Sequence, residues 1–342
     1  MPAPGASGGR VPQHVRERVD NGFEGFIGNP DAVASLRREL LRALLESPPH
    51  LPKNILFTGS PSTGKTELAR RVSRILDLPF VRIDGRNVQN PDRLIELLDG
   101  VLEAEGQRAV HEGLDSGLPA YNYPPAIVFV DEVHLVPRGV QDHLLTMLER
   151  SDRRGVLRNR VVWMNRVTFL FATTRASELD RAFRTRCTEI GLLDYSINEV
   201  AQMIGVQHNL WPEAVRTSLA LHGRIVPRIA LELADSLVAE VEVSDRPERS
   251  LEEHLNAVLQ SRGILDLGLT RADIDYLAEL ERQRRPVGSD SIKSLLHAID
   301  PARIDEEVEP YLVRQGLIRL TRAGREITAE GREYLGRWRA TS

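Results

Sequence analysis

Hydrophobic positions along this chain recur first at helical spacing and then as short unbroken runs. From Asp31, Val33, Leu36, Leu40 and Leu44 fall on one face and predict an amphipathic helix, which Pro48, Pro49 and Pro52 bring to an end. Asn54–Thr58 reads as a short buried strand, and Leu68, Val72, Ile75 and Leu76 as the buried face of the helix after it. A second strand is predicted at Phe80–Asp84, followed by a helix carrying Leu94, Ile95, Leu97 and Leu98. Residues 104–125 are polar and glycine-containing and read as a long loop, a length that in a compact domain is uncommon and often functional or mobile. The runs at 126–130 and 167–172 are apolar without alternation, as expected of strands covered on both faces of a parallel sheet.

From about Tyr195 the pattern turns helical. Ile197, Val200, Ala201 and Ile204 form one stripe, and Ile229, Leu231, Leu233, Ala234 and Leu237 belong to a broader apolar helix. Residues 244–249 read as a loop. A third unit begins near Gly263, with helices near 271–281, 290–298 and 303–315 and two short strands around Ile318 and Ile327. The expected organisation is a flexible arm at 1–20, an α/β nucleotide-binding core at 21–194, a small α-helical lid at 195–262 and a winged-helix domain at 263–342.

Composition narrows this picture. No apolar run is long enough to span a bilayer, and the start of the chain lacks the apolar stretch of a signal peptide. Cys187 is the lone cysteine, so no internal disulfide is expected, and no zinc-ligand spacing occurs. We read it as a small buried residue opening a strand, and the chain as cytoplasmic. The net charge of −4 does not advertise nucleic-acid binding, although a local basic patch is enough for it. From Tyr311 onward seven arginines face three glutamates, a local excess that suits phosphate contact as well as a solvated terminal hairpin.

The chemistry centres on Gly59-Ser60-Pro61-Ser62-Thr63-Gly64-Lys65-Thr66, which fits G-x-x-x-x-G-K-[ST] between a predicted strand and a predicted helix. The glycines allow a bend that turns successive N–H groups inward around an anion, and the following helix adds its positive end. Lys65 supplies a charge for the β- and γ-phosphates of ATP, and the Thr66 hydroxyl a ligand for Mg²⁺. The apolar run at 126–130 ends in Asp131 and Glu132. At the carboxyl end of a parallel strand these acids stand beside the phosphate loop. Asp131 suits holding Mg²⁺, and Glu132 suits orienting and deprotonating a water. The tetrad Asp131-Glu132-Val133-His134 also matches a DExH box, but this sequence shows no motifs of the second RecA-like lobe that class needs. Thr173 and Thr174 end the next strand. One reading has a polar side chain reaching the γ-phosphate, the other has two β-favouring residues.

These motifs in this order resemble the AAA+ ATPases, and more narrowly the RuvB family of Holliday-junction branch-migration motors. Phe26-Ile27-Gly28 resembles the segment before that family's first helix, which implies that Phe26 and Ile27 border the nucleotide. Residues 172–176 resemble its sensor 1, with Thr174 in the sensing position. Residues 183–186 resemble its arginine-finger segment, which implies that Arg186 acts on a neighbouring subunit's ATP, with Arg184 as the fallback. Residues 226–230 resemble its sensor 2, with Arg228 reaching the γ-phosphate. Residues 308–318 resemble its winged helix. The resemblance spans roughly residues 23–335 and implies an AAA+ fold, a homo-oligomeric ring, a hexamer in the family, and duplex or branched DNA as substrate.

The chain departs from the family at three places. Residues 104–125 look like an insertion. Residues 153–166 stand in the place of the hairpin that engages RuvA, but are shorter, lack the glycine-rich turn and carry Val161-Val162-Trp163-Met164. In the wing, where the resemblance implies DNA contacts by Arg319, Arg322 and Arg325, Ala323 replaces an arginine and Arg322 comes one position early. A second reading therefore stands beside the motor: a nucleotide-switched protein that recruits or remodels a protein partner through residues 104–125 and 153–166.

Overall fold

In the computed structural model the described residues are 11–45, 54–105, 109–111, 120–122, 124–148, 154–157, 160–164, 167–246 and 248–341. The start of the expected arm and the proline stop at 48–52 lie outside them. The chain divides after Tyr195 into two compact units.

The first unit begins with α1 (Gln13–Gly22) and α2 (Pro30–Ala43), then β1 (Asn54–Thr58), α3 (Lys65–Leu76), β2 (Phe80–Asp84) and α4 (Pro91–Glu105). It continues through β3 (Ala109–His111), β4 (Ala120–Asn122), β5 (Ala126–Asp131) and α5 (Arg138–Met147). The hairpin strands β6 (Arg154–Leu157) and β7 (Arg160–Trp163) follow, then β8 (Val167–Thr173), α6 (Arg181–Thr185) and β9 (Cys187–Gly191). Five strands form one all-parallel sheet in the order β2-β5-β8-β1-β9. Alternate residues of its strands feed two different cores. Leu56, Val128, Val130, Phe169 and Phe171 belong to one, and Ile55, Phe57, Ile127, Phe129, Leu170 and Ala172 to the other. That two-sided burial is why these strands read as unbroken apolar runs. Each of these side chains larger than alanine contributes about 1.5–3 kcal/mol by leaving water.

Two expectations change here. The arm does not persist to residue 20, because residues 13–22 form α1. Val15, Val19 and Phe23, spaced four apart among charges, are all buried, and Arg71 on α3 donates to the carbonyls of Gly22 and Glu24 at 3.0 and 2.8 Å. Nor is the stretch 104–125 a loop throughout. Its β3 and β4 pair antiparallel, β4 pairs parallel with β7, and the result is a separate four-stranded sheet in the order β3-β4-β7-β6. Three-residue strands carry too little periodicity to be read alone, and it is the backbone pairing to a hairpin some forty residues later that makes them strands.

The second unit opens with α7 (Ile197–Gln207), α8 (Glu213–His222), α9 (Pro227–Val243) and α10 (Leu251–Ser261). Capping boxes, Ser196 with Glu199 and Ser250 with Glu253, start α7 and α10. Then come α11 (Arg271–Gln283), α12 (Ser289–Leu295) and α13 (Pro301–Arg303), which passes through a widened turn, Ile304–Val308, into α14 (Glu309–Arg314). The hairpin β10 (Ile318–Thr321) and β11 (Gly324–Ile327) and the terminal α15 (Ala329–Thr341) complete it. Val287 bridges to Arg325, adding a third short strand position to the hairpin. No helix among the described residues is long and apolar enough to cross a membrane.

Candidate active site

Strand order assembles the site. β8 lies between β5 and β1, so the carboxyl ends of these three strands bring together Asp131 and Glu132, Thr173 and Thr174, and the glycine loop after β1. The loop bends through three left-handed residues, Gly59, Ser62 and Gly64, before α3 begins at Lys65. At Gly64 (φ 97°) a side chain is excluded twice over, since a Cβ would stand 2.7 Å from the Tyr195 hydroxyl and 3.1 Å from the Phe26 ring. Phe26 therefore packs on the loop, and Ile27 beside it is half-buried.

Asn29 and Tyr195 brace the loop from behind. The Tyr195 hydroxyl donates to the Thr63 carbonyl at 3.0 Å. Asn29 accepts the Leu193 N–H at 2.7 Å and donates to the Leu193 carbonyl at 3.2 Å, tying the start of α2 to the segment after β9. Lys65 is 6% exposed, and its ammonium donates to the carbonyls of Gly59 and Ser60 at 2.8 and 2.6 Å. Burial pushes its pKa below the ordinary lysine value, and the charges of Glu132, Asp131 and Asp194 work against that shift. The result is a desolvated cation on a left-handed glycine loop at the start of α3, a fit for a polyphosphate.

Glu132 sits just past β5 in a left-handed conformation, φ 49°. Gly85 permits this turn, because a Cβ there would come within 2.5 Å of the Glu132 carbonyl. The carboxylate is half-buried, and its Oε2 accepts the Thr174 N–H at 3.2 Å and the Thr174 hydroxyl at 3.1 Å. The Nδ1 of His134, whose side chain is 5% exposed, lies 3.2 Å from the same oxygen and 3.0 Å from the Thr173 hydroxyl. Glu132 and Thr174, separated by 42 residues, thus form one unit. Asp131 is gripped differently, with Arg82 of β2 donating to its Oδ2 at 2.7 Å. Arg82, His134, Asn29 and Tyr195 are the site residues that reading the sequence missed. For Arg82 a signal existed: β2 pairs in register with β5, and Arg82 shares a face with Asp84, opposite Asp131. The oxygen donors Thr66 and Asp131 are the hard ligands that Mg²⁺ prefers.

Of the two finger candidates, Arg184 is engaged by Glu189 at 2.8 Å, whereas Arg186 ends α6 half-buried, with one Nη1 donating to the Ala182 carbonyl at 3.0 Å. Arg228 belongs to the second unit and is exposed in the first turn of α9. Cys187 opens β9 as expected, and burial followed by the nearby Glu189 charge pushes its thiol up to about 12.

The wing residues separate. Arg322 is exposed at the turn between β10 and β11, and Arg319 is exposed but paired with Glu326 at 2.6 Å across the hairpin. Arg325, expected on phosphate, instead faces Glu309 in a two-pronged pair at 2.9 and 2.8 Å, and the Tyr276 hydroxyl donates to the same carboxylate at 2.9 Å. Strand alternation puts Arg325 on the same face of β11 as the buried Ile327, where its side chain meets Glu309 of α14. Glu309→Ala is expected to lower stability by about 2–3 kcal/mol, less than the ~3–5 of a fully enclosed pair because Arg325 is 24% exposed. Arg322→Ala should stay within about 0.5 kcal/mol. Urea midpoints followed by exchange of the α14 amides distinguish them, and equal effects would refute this division of labour.

Comparison with known proteins agrees with this geometry. The model for the ATPase family associated with various cellular activities (AAA) matches residues 55–195, and that for the RuvB C-terminal winged helix domain matches residues 266–336. The chain is a RuvB-like AAA+ ATPase. Curated RuvB relatives, each described as a Holliday junction branch migration complex subunit, align nearly end to end. That of Mycoplasma pneumoniae is 25% identical over 92% of this chain and 96% of its own length. That of Wolbachia pipientis wMel is 28% identical over 92% of both. Among solved structures, the Thermotoga maritima RuvB Holliday junction branch migration motor superposes with a TM-score of 0.71 at 22% identity, over 91% of this chain and 95% of that one, a likeness of fold. Each unit is thus matched by a model of its own, the first by the AAA model and the second by the RuvB winged-helix model.

Proposed function

We propose that this ATPase is a ring-forming motor that couples ATP hydrolysis to movement along duplex or branched DNA; its RuvB relatives are named for Holliday junction branch migration. The observation that carries the reading is the RuvB-type winged helix at 266–336 on the same chain as the AAA module at 55–195. Lys65 and the loop amides hold the β- and γ-phosphates, with Phe26 and Ile27 bordering the nucleotide. Glu132 takes the proton of the attacking water, and Thr174, bonded to its carboxylate, fixes where that oxygen points. Thr66 and Asp131 would hold Mg²⁺, which would supply charge neutralisation on the phosphates. Arg228 reads the γ-phosphate from the lid, and Arg186 completes the site of a neighbouring subunit, so turnover requires a homo-oligomeric ring, six-membered in this reading.

A specific observation keeps a second reading alive. The strands within 104–125 and 153–166 form one sheet, so the two segments that depart from the family make a single surface. We assign a protein partner to that sheet without extending it to RuvA, since the hairpin is shorter than the family's.

The DNA reading is tested on the wing. Duplex affinity measured at several salt concentrations should show a log–log slope that flattens by roughly one to two units when Arg319 and Arg322 are changed to alanine, because each lost phosphate contact removes about 0.9. Affinity should fall for every sequence alike. An unchanged slope and affinity would take the wing out of the interface and favour the nucleotide-switched remodelling protein.

A further inference from the structure

The loop leading into α9 contains an unusual backbone. Arg224 and Ile225 are both left-handed, with φ 60°, although neither is glycine and isoleucine is β-branched. The end of α8 holds them there: the Arg224 N–H donates to the Leu221 carbonyl and the Ile225 N–H to the Ala220 carbonyl, both at 2.9 Å. Pro227 then opens α9, and Arg228 follows it, four residues after Arg224.

This backbone turn aims the Arg224 side chain out of the four-helix lid and into the winged helix. Its Nη2 donates to Asp273 Oδ1 at 2.6 Å, and the guanidinium lies 4.2 Å from the centroid of the Tyr311 ring. Both charges are enclosed, Arg224 being 11% and Asp273 0% exposed. Asp273 is itself fixed, since its Oδ2 accepts the Thr270 N–H and hydroxyl, each at 2.7 Å, closing the cap of α11. Tyr311 sits on α14 and donates to the Leu267 carbonyl. Beside it, Gly268 passes so close to the end of α8 that a Cβ would stand 2.8 Å from the His222 carbonyl. A buried pair of this kind adds little net stability over an apolar contact, but its planar fork fixes register and angle.

We propose that Arg224 is the positioning residue through which the nucleotide state sensed at Arg228 reaches the winged helix. The proposal rests on the reading of Arg228 as the γ-phosphate arginine. The left-handed pair, already hydrogen-bonded to α8, has no slack to absorb a displacement of the 223–228 loop. The displacement passes instead to Asp273 and Tyr311, and so to the starts of α11 and α14. A lysine has neither the second prong nor the flat face for Tyr311, so it does not replace Arg224.

The test measures the affinity of a non-hydrolysable ATP analogue with and without duplex DNA, and of duplex with and without analogue, together with amide exchange. In the wild type the two ligands should alter each other's affinity by one common factor, about 5–150-fold for a coupled pair. In Arg224→Ala and Arg224→Lys that factor should be lost, while each ligand alone binds as in the wild type and basal hydrolysis persists. A folded Arg224→Ala that keeps the factor overturns the proposal, and so does one that loses both affinities, which marks a mere structural staple. A variant that does not fold leaves the wild type to decide. There the analogue alone, without DNA, should change exchange in 271–277 and 309–314, and no change overturns the proposal. The reading beneath it fails separately: a wild type that does not bind duplex removes the DNA assignment, and an Arg228→Ala protein whose winged helix still responds to the analogue removes Arg228 as the sensor.

Discussion

Glu132→Gln is expected to bind nucleotide as the wild type does and to turn it over about 10²–10⁴-fold more slowly, the usual contribution of a positioned general base. The amide keeps the volume of the carboxylate and still has an oxygen to accept the Thr174 N–H and hydroxyl, which hold the wild-type group at 3.2 and 3.1 Å. What it loses is the basicity to take a proton from water. Lys65→Ala separates the two roles from the other side. Its buried ammonium is bonded only to loop carbonyls in the described contacts, so its removal takes away the loop's positive charge and should abolish binding rather than chemistry. Nucleotide affinity and steady-state hydrolysis, measured on both variants, decide the matter. Normal turnover by Glu132→Gln would show that another group activates the water.

Arg186→Ala should lose about 10³–10⁵ in turnover, the range over which an arginine stabilises charge spreading over a transferred phosphoryl group. Arg184→Ala should lose far less, because Arg184 is spent on a surface pair with Glu189 at 2.8 Å, the class of contact that contributes about 0–1 kcal/mol. The effect of Arg186 should also cross subunits. Mixing Arg186→Ala protein with Glu132→Gln protein, each inactive alone, should restore part of the activity, since some interfaces then pair an intact Glu132 with an intact Arg186. Mixed rings without recovery would place the arginine's role within its own subunit, or outside the chemistry.

Some of this site was legible before any coordinates. Gly59 and Gly64 announce the phosphate loop because a backbone that must turn its amides inward tolerates few other residues, and both positions are left-handed as that demands. Asp131 and Glu132 were placed beside it by one physical rule, that parallel strands carry their ligands at their carboxyl ends. The partners of those residues were not legible. Thr174 was ambiguous on its own, and its bond to Glu132 exists only because β8 lies next to β5 in the sheet.

The sequence by itself determined what its local patterns encode: the parallel core strands buried on both faces, the glycine loop, the apolar helical stripes after Tyr195 and the hairpin of the wing. It missed α1, whose apolar residues are spaced too sparsely among charges, and it read β3 and β4 as loop because three-residue strands become strands only by pairing. Only the tertiary structure decided which arginines are available. Arg322 and Arg325 stand three apart on one short wing and look equivalent in the sequence, yet one is exposed and the other is held by Glu309. Arg224 gives no local signal at all, and its partner Asp273 lies 49 residues away. The physical reason is common to these cases. A backbone conformation is selected by near neighbours, which the sequence states directly, whereas the fate of a charged side chain depends on which opposite charge the fold carries within a few ångströms of it.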